Sequence, residues 1–139
     1  MNLQPRDFEI LKYCYEQQFM SIAQIENTFF KSKHSNKARQ RVLELESAGL
    51  VYTEKTALSF ASRLVRLTSI GQKFGASKSH HYVPQTRRLD PSTIEHDLIV
   101  TSVRFRLSEL WDGQWIPEKA LKDKYEIIPD GIIQFESGF

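Results

Sequence analysis

The strongest constraint on the fold is a basic segment that runs directly into an amphipathic helix. Residues 31–41 contain five lysines or arginines, one histidine and no acid. The apolar face of the helix recurs at intervals of three and four residues, with Ala38, Val42, Leu45 and Ala48. Gly49 is suited to end the helix as its C-cap. Such a helix is expected to rest its apolar face on a small core and to leave its basic N-terminal end for a negatively charged partner.

Two further helices are predicted upstream from the spacing of apolar residues. Pro5 suits the first turn of one helix, and Ser21 is a natural N-cap for the next. Ser35 is the expected N-cap of the basic helix. Its first turn carries Lys37 and Arg39 where the helix dipole would favour acids. This choice is unfavourable locally, but it makes sense if phosphates supply the negative charge.

Downstream of the basic helix, the sequence predicts a β-hairpin and a closing helix. The strands are expected at residues 50–54 and 64–68, with Lys55 and Arg63 near the tip between them. A short helix should follow at residues 69–75, capped by Ser69. The order helix, helix, helix, strand, strand, helix is that of a winged helix. Residues 1–76 are therefore predicted to form a winged-helix DNA-binding domain.

The second half is predicted to be a small α/β region, so that the whole chain is α+β. Residues 77–89 show no periodicity and are interpreted as a linker. The region 90–139 should contain one long helix at residues 90–111 and strands at 114–121 and 127–135. Its task would be dimerisation or partner binding, since the first half carries the basic segment.

Charge is divided unevenly along the chain. Residues 1–88 hold 14 Lys+Arg and 7 Asp+Glu, a net +7, whereas residues 89–139 hold 5 and 10, a net −5. This asymmetry favours a nucleic-acid partner for the first half, although two solvated surfaces that differ by chance would give the same totals. No apolar stretch approaches the roughly 20 residues of a membrane span. No secretion signal is expected, because the N-terminal residues lack its apolar core. With Cys14 as the single cysteine, a disulfide framework is excluded and a cytoplasmic location is expected.

The face of the basic helix opposite its apolar stripe carries side chains that can read DNA. Asn, Gln and Arg pair bidentately with adenine or guanine edges in the major groove. Base contacts are expected from Asn36, Lys37, Gln40 and Arg41. Phosphate contacts are expected from Lys31, Lys33, Ser35 and Arg39, and backbone or minor-groove contacts from Lys55 and Arg63. If this face were merely solvated, acids would be expected among its basic residues, but none occurs between Lys31 and Arg41. RNA binding would be expected to use an aromatic stacking platform, and none stands out in the sequence.

Short motifs along nearly the whole chain resemble known families. "RVLELESAGLV" followed by "RLVRLTSIGQKFG" resembles the recognition helix, wing and closing helix of bacterial winged-helix regulators. The opening "QPRDFEILKYCYEQQFMSIAQIENTFF", and later "EHDLIVTSVRFRL", "WIPEKALK" and "IIPDGIIQF", resemble the plasmid replication-relaxation family. The resemblance implies a winged helix before a small α/β region. It also implies a protein of plasmids or other mobile elements that binds DNA in replication, mobilisation or their control.

The resemblance further implies that the α/β region is similar to a restriction-endonuclease-like core. In such nucleases a helix acid, a strand Asp and a later Glu-x-Lys gather a divalent metal. Glu95 or Asp97 matches the first element and Asp130 the second, but residues 131–139 contain no Glu-x-Lys. Catalysis, a metal and a cofactor are therefore not expected. A metal-dependent nuclease, or a nuclease-like core shortened at its end, remains the rival interpretation.

Three other positions invite a functional interpretation, and in each case a structural role is favoured. His80 and His81 are interpreted as a surface loop pair, because no metal-ligand spacing accompanies them. His96 and Asp97 would point about 100° apart on a helix, which argues against an acid–base dyad. Cys14 is expected in the core.

The sequence as a whole predicts a sequence-specific double-stranded DNA-binding protein of a mobile element that regulates replication, mobilisation or transcription. A homodimer is expected, because one recognition helix contacts only a few base pairs. The expected interface is the long helix, through Ile94, Leu98, Phe105 and Trp111. A protein-interaction adaptor that uses a winged helix without DNA is a further alternative.

Overall fold

A computed structural model describes residues 2–31, 36–55, 63–111, 113–121 and 129–134. Within these residues the chain is α+β, which confirms the predicted fold class. The helices are α1 (Pro5–Gln17), α2 (Ile22–Phe29), α3 (Asn36–Ser47), α4 (Ser69–Lys78) and α5 (Ile94–Leu110). The strands are β1 (Met20–Ser21), β2 (Val51–Glu54), β3 (Leu64–Leu67), β4 (Gln114–Pro117) and β5 (Gly131–Gln134), and a 3₁₀ turn, Glu118–Ala120, follows β4.

Local signals set several helix ends where the sequence predicts them. Helix α1 begins at Pro5. The backbone N–H of Gln24 donates to the Ser21 hydroxyl at 3.1 Å, so that Ser21 caps α2 as predicted. After α3, Gly49 adopts a φ of +79°, the left-handed conformation of a C-cap that glycine tolerates best. The predicted N-cap of α3, Ser35, lies outside the described residues.

Other helix ends differ from the prediction. Thr68 rather than Ser69 caps α4, because its hydroxyl accepts from the N–H of Gly71 at 3.1 Å. The same helix continues past Gly75 to Lys78. Gly75 is instead a close-packing position, since a Cβ there would lie 2.7 Å from the carbonyl oxygen of Leu11 on α1. Glycine therefore serves the packing of two helices here and does not end one.

Helix α5 and the strands of the second half are also shorter than predicted. The segment at Asp90 forms a turn, in which Asp90 accepts from the backbone N–H of Ser92 at 3.0 Å, and the helix starts only at Ile94. Strand β4 ends at Pro117, where the 3₁₀ turn begins. The predicted strand at 127–135 is represented by β5, and residues 127, 128 and 135 lie outside the described part.

The first sheet has three antiparallel strands in the order β1-β3-β2. Val51 pairs with Leu67 in the hairpin, and Met20 pairs with Val65 on the other edge of β3. Strand β1 was not predicted, because two residues carry no periodicity. The second sheet is the antiparallel pair β4-β5, in which Trp115 pairs with Ile133.

The main core lies between α1, α2, α3, α4 and the first sheet. Of the predicted apolar face of α3, Ala38, Val42 and Leu45 are buried. The fourth member, Ala48, is exposed, because the helix already ends at Ser47. Cys14 is fully buried in this core, as predicted.

The predicted linker lies against the first half through several hydrogen bonds. Val83 is fully buried, and its N–H donates to the hydroxyl of Tyr15 at 3.0 Å. The Gln85 amide donates to the carbonyl of Tyr15 at 2.8 Å, and Arg66 donates to the carbonyl of Thr86 at 2.7 Å. The segment thus packs on α1 and β3, while the domain boundaries at 76 and 90 stay a prediction.

Helix α5 uses part of its apolar surface within the chain. Ile94 is buried in a cluster with Phe19 and Leu64. The ring of Phe105 lies 4.9 Å from that of Tyr13, centroid to centroid. Ile94 therefore does not face a partner subunit, contrary to the prediction. Phe105 and Leu98 are only partly buried, and the dimer interface itself stays a prediction. The apolar side chains that α5 and its C-cap expose are Ile99, Val103, Leu110 and Trp111.

In the described part of the chain, no helix has both the length and the apolar character that a membrane crossing requires.

Candidate nucleic-acid interface

The candidate interface is the outer face of α3, which its buried face fixes in place. Ala38, Val42 and Leu45 lie on the core side. The N-terminal half of the opposite side consists of exposed polar residues: Asn36, Lys37, Arg39 and Gln40. The structure thus brings together four of the predicted DNA-contacting residues in the first two turns of one helix. No acid occupies the first turn of α3, so the positive end of the helix dipole is reinforced by cations.

Arg41 is the predicted base-contacting residue that the structure places differently. Its Nε donates to Oδ1 of Asp7 at 2.8 Å, and its Nη2 donates to the second carboxylate oxygen of Asp7. Nη1 donates to Glu44 at 2.6 Å, and the side chain is only 13% exposed. The expectation of an outward-facing Arg41 is thereby corrected: its guanidinium joins α3 to the N-terminal end of α1.

The Asp7–Arg41 pair is stabilised by further hydrogen bonds. Asp7 is fully buried, and its carboxylate also accepts from the N–H of Gln4 at 2.8 Å. Burial pushes the pKa of Asp7 upward, but the hydrogen bonds from Arg41 and Gln4 and nearby cations hold it below its usual value. The hydrogen bonds that Arg41 donates to Asp7 raise the pKa of Arg41, with Glu44 adding to the effect. Because Glu44 is paired, this acid of the outer face presents less negative charge to a phosphate.

Lys31 is the last described residue before α3. Its ammonium donates to Glu109 on α5 at 2.6 Å, and both side chains are largely exposed. Exposed ion pairs of this kind contribute little to the free energy of unfolding, so Lys31 can leave Glu109 for another anion. Lys33 and Ser35, which were predicted to contact phosphate, lie outside the described residues.

The hairpin places two predicted contact residues side by side. Since Glu54 pairs with Leu64, the next positions, Lys55 and Arg63, lie at the same level of the two strands. Both are exposed, and Arg63 Nε donates to the hydroxyl of Thr53 at 3.0 Å. Residues 56–62, which join them in the sequence, lie outside the described part.

A second group of charged residues connects α5 with the β4-β5 sheet. His96 Nε2 lies 3.0 Å from Oδ1 of Asp130, so that the sequence neighbour Asp97 is not its partner. The hydrogen bond to Asp130 raises the pKa of His96. Burial raises the pKa of Asp97, and burial followed by repulsion from Asp130 and Asp97 raises that of Glu118. Among the described residues, no three His, Cys, Asp or Glu side chains are arranged to hold a metal ion. Glu95 is exposed.

A buried ion pair between α1 and α5 was not predicted. Arg104 Nη2 donates to Glu16 Oε1 at 2.5 Å, and Arg104 also lies over the ring of Tyr13, 4.3 Å from its centroid. The sequence contains no local signal for it, because the burial of Thr101 and Arg104 on one face of α5 is visible only in the structure.

The chain belongs to the replication-relaxation family, whose pattern it matches over residues 11–138. This confirms the resemblance found in the sequence, and family membership points to a role in plasmid replication or mobilisation. A search of curated proteins finds no match.

Proposed function

We propose that this protein binds double-stranded DNA in a sequence-specific manner and regulates replication, mobilisation or transcription of a plasmid or other mobile element. In this proposal residues 1–76 act as a winged helix, α3 is the recognition helix and the β2-β3 hairpin is the wing. The observation that carries the proposal is the outer face of α3, where Asn36, Lys37, Arg39 and Gln40 are exposed opposite a buried apolar face. An α-helix fits the major groove of B-DNA, which is about 12 Å wide.

The positions of these four residues on the helix suit a groove. Asn36 and Gln40 are four residues apart and therefore lie in one line along the helix, from which amides can pair with adenine edges. Lys37 and Arg39 lie on opposite sides of that line, at about 100° per residue. Each side of the helix thus carries a cation toward one phosphate wall of the groove. Such phosphate contacts fix register and orientation, while the central line reads bases.

The salt dependence of binding tests this arrangement. The proposal assigns phosphate contacts to five exposed cations, Lys31, Lys37, Arg39, Lys55 and Arg63. Their phosphate contacts predict a slope of log K against log salt of about −4 to −5. Replacing Lys37 and Arg39 together by Gln should reduce the slope by about 2. The matched control is Lys73→Gln, an exposed lysine on α4, which should leave the slope unchanged. A flat salt dependence would favour a protein-binding adaptor over DNA binding.

Selection from random-sequence DNA tests specificity. The protein should recover a defined motif, and the Lys37→Gln/Arg39→Gln variant should bind it more weakly. Sequence-blind binding with an intact salt slope would restrict the proposal to phosphate contact. Unlike Arg41, whose replacement would disturb the Asp7 pair, both substituted residues are exposed and leave the fold unaffected.

The proposal includes dimerisation through α5. Two copies double the number of base pairs read, as one recognition helix covers only a few. Ile99, Val103 and Leu110 form an exposed apolar stripe. Light scattering should give a dimer that Val103→Glu dissociates, and a monomer that binds one undivided site would contradict it.

The protein performs no chemistry of its own in this proposal. The rival is a metal-dependent nuclease. The observation that favours it is that the charges of Asp97, Glu118 and Asp130 lie near enough to affect one another, although no three such side chains among the described residues are arranged to hold a metal ion. Incubation with supercoiled plasmid and Mg²⁺ separates the two. We expect intact plasmid for both the wild type and Asp130→Asn. Cutting that EDTA and Asp130→Asn both abolish would establish the nuclease.

A further inference from the structure

The outer face of α3 contains an apolar residue that the DNA-reading residues do not account for. Leu43 is 53% exposed, although it lies on a helix whose other large apolar side chains are buried. It follows Gln40 by three residues and therefore lies close to the Asn36–Gln40 line. Isolated exposed leucines are common on protein surfaces. This one lies within the proposed reading face, and that position requires a separate explanation.

The side chains around Leu43 are either short or carry a charge that is already paired. Leu43 borders a shallow depression of about 440 Å³, which it shares with Glu44, Ser47 and Ala48. Ser47 and Ala48 are too short to shield it. The carboxylate of Glu44 is held by Arg41 at 2.6 Å, so that the charge next to Leu43 is paired. The C-terminal half of the outer face therefore offers an apolar contact where the N-terminal half offers amides and cations.

We propose that Leu43 contacts the C5-methyl group of a thymine and makes the protein select an A·T pair at that position. This inference rests on the proposed function, since it assigns one base preference to the same helix. The thymine methyl is the apolar group that base pairs present in the major groove. Leu43 lies about 4.5 Å farther along the helix axis than Gln40. Leu43 is thus assigned a base pair other than the one that Gln40 addresses.

Replacing thymine by uracil tests the contact at the level of one methyl group. Once a binding motif has been selected, each thymine in it is changed in turn to deoxyuridine, which keeps base pairing and lacks the C5-methyl. At one position this change should weaken wild-type binding by about three- to fivefold, the effect of one buried carbon. At the same position, DNA with a C·G pair that carries 5-methylcytosine should be bound more tightly than DNA with unmodified cytosine.

The variant Leu43→Ala completes the test. It should bind the thymine site more weakly than the wild type and should show no further loss with deoxyuridine. The matched control is Ile70→Ala, which removes an equally exposed apolar side chain from α4 and should keep the full sensitivity. Both residues are exposed, so that neither substitution threatens the fold.

The outcomes separate this inference from the function on which it rests. Normal selective binding in which no thymine is sensitive to deoxyuridine, or sensitivity that Leu43→Ala retains, overturns the thymine contact and leaves DNA binding intact. Absence of any selected motif overturns both. If Leu43→Ala instead weakens dimerisation and leaves the base preference unchanged, Leu43 belongs to a protein interface and the thymine contact is refuted.

Discussion

The buried pair between Glu16 and Arg104 offers a direct test of what holds α5 on α1. Their side chains are only 2% and 4% exposed, and the distance between Oε1 and Nη2 is 2.5 Å. The second Glu16 oxygen accepts from the hydroxyl of Ser79 at 2.5 Å, and Arg104 Nη1 donates to Gln17 at 3.1 Å. The change Glu16→Gln keeps the size of the side chain and removes its charge. It leaves the guanidinium of Arg104 buried without its counter-ion.

The expected loss follows from that burial. Removing one partner of a buried ion pair costs about 3–5 kcal/mol of the free energy of unfolding. The remaining contacts of Arg104, with Gln17 and over the ring of Tyr13, favour the lower end, about 3 kcal/mol. For a chain of 139 residues, this corresponds to a fall in Tm of about 10 °C. Because Glu16→Gln/Arg104→Met removes both charges, it should recover most of the loss.

Urea unfolding followed by circular dichroism and tryptophan fluorescence measures this loss. Trp115 is a suitable reporter, since Arg104 lies 5.8 Å from its ring centroid. Glu109→Gln is the matched control, because the Lys31–Glu109 pair is 60% and 45% exposed. Its effect should be about 0.5 kcal/mol or less. If Glu16→Gln costs no more than Glu109→Gln, burial does not determine the strength of the pair and the reasoning fails.

Three further predictions concern titratable groups. Burial raises the pKa of Cys14 to about 12, so its thiol should not react with Ellman's reagent at about pH 8 until urea unfolds the protein; prompt reaction in buffer would contradict this. The hydrogen bond to Asp130 raises the pKa of His96. NMR titration should give a midpoint above about 6.5 that Asp130→Asn lowers, and the stability from this pair should be lost as pH rises through that midpoint. The pKa of Asp7 is lowered, so its stabilising effect should be complete above about pH 4 and should be lost as pH falls through the pKa of the folded state. Asp7→Asn should therefore make the free energy of unfolding depend less on pH in the acidic range. If that dependence is unchanged, Asp7 is not its origin.

The sequence predicts those elements whose causes are local. Pro5 and Ser21 mark the starts of α1 and α2 because capping involves only neighbouring residues. The apolar spacing of α3 predicts its buried face up to Leu45. Strand β1 was missed because its two residues become a strand only by pairing with β3. Gly75 was misread for a related reason, since its role depends on the approach of α1.

The candidate interface was predictable in composition and less so in geometry. Asn36, Lys37, Arg39 and Gln40 are exposed as helical spacing predicts. Nothing in that spacing indicates that Arg41 is bound to Asp7, 34 residues earlier in the chain. Helical patterns treat every arginine as a surface residue, whereas a guanidinium can be buried when a carboxylate meets it. Leu43 was passed over for the converse reason, because apolar residues are assigned to the core.

Helix α1 connects the proposed reading helix with the second half of the chain. Asp7 near its start binds Arg41 of α3, and Glu16 near its end binds Arg104 of α5. The two carboxylates are nine residues apart, about 13 Å along the helix. Because both are buried, dissolved salt screens these pairs far less than exposed charges. Salt that releases the protein from DNA should therefore leave the orientation of α3 and α5 on α1 unchanged. If salt abolishes DNA binding while the Tm of the protein without DNA stays unchanged, phosphate contacts alone account for the loss, whereas a parallel fall in that Tm would mean that the two pairs are accessible to salt.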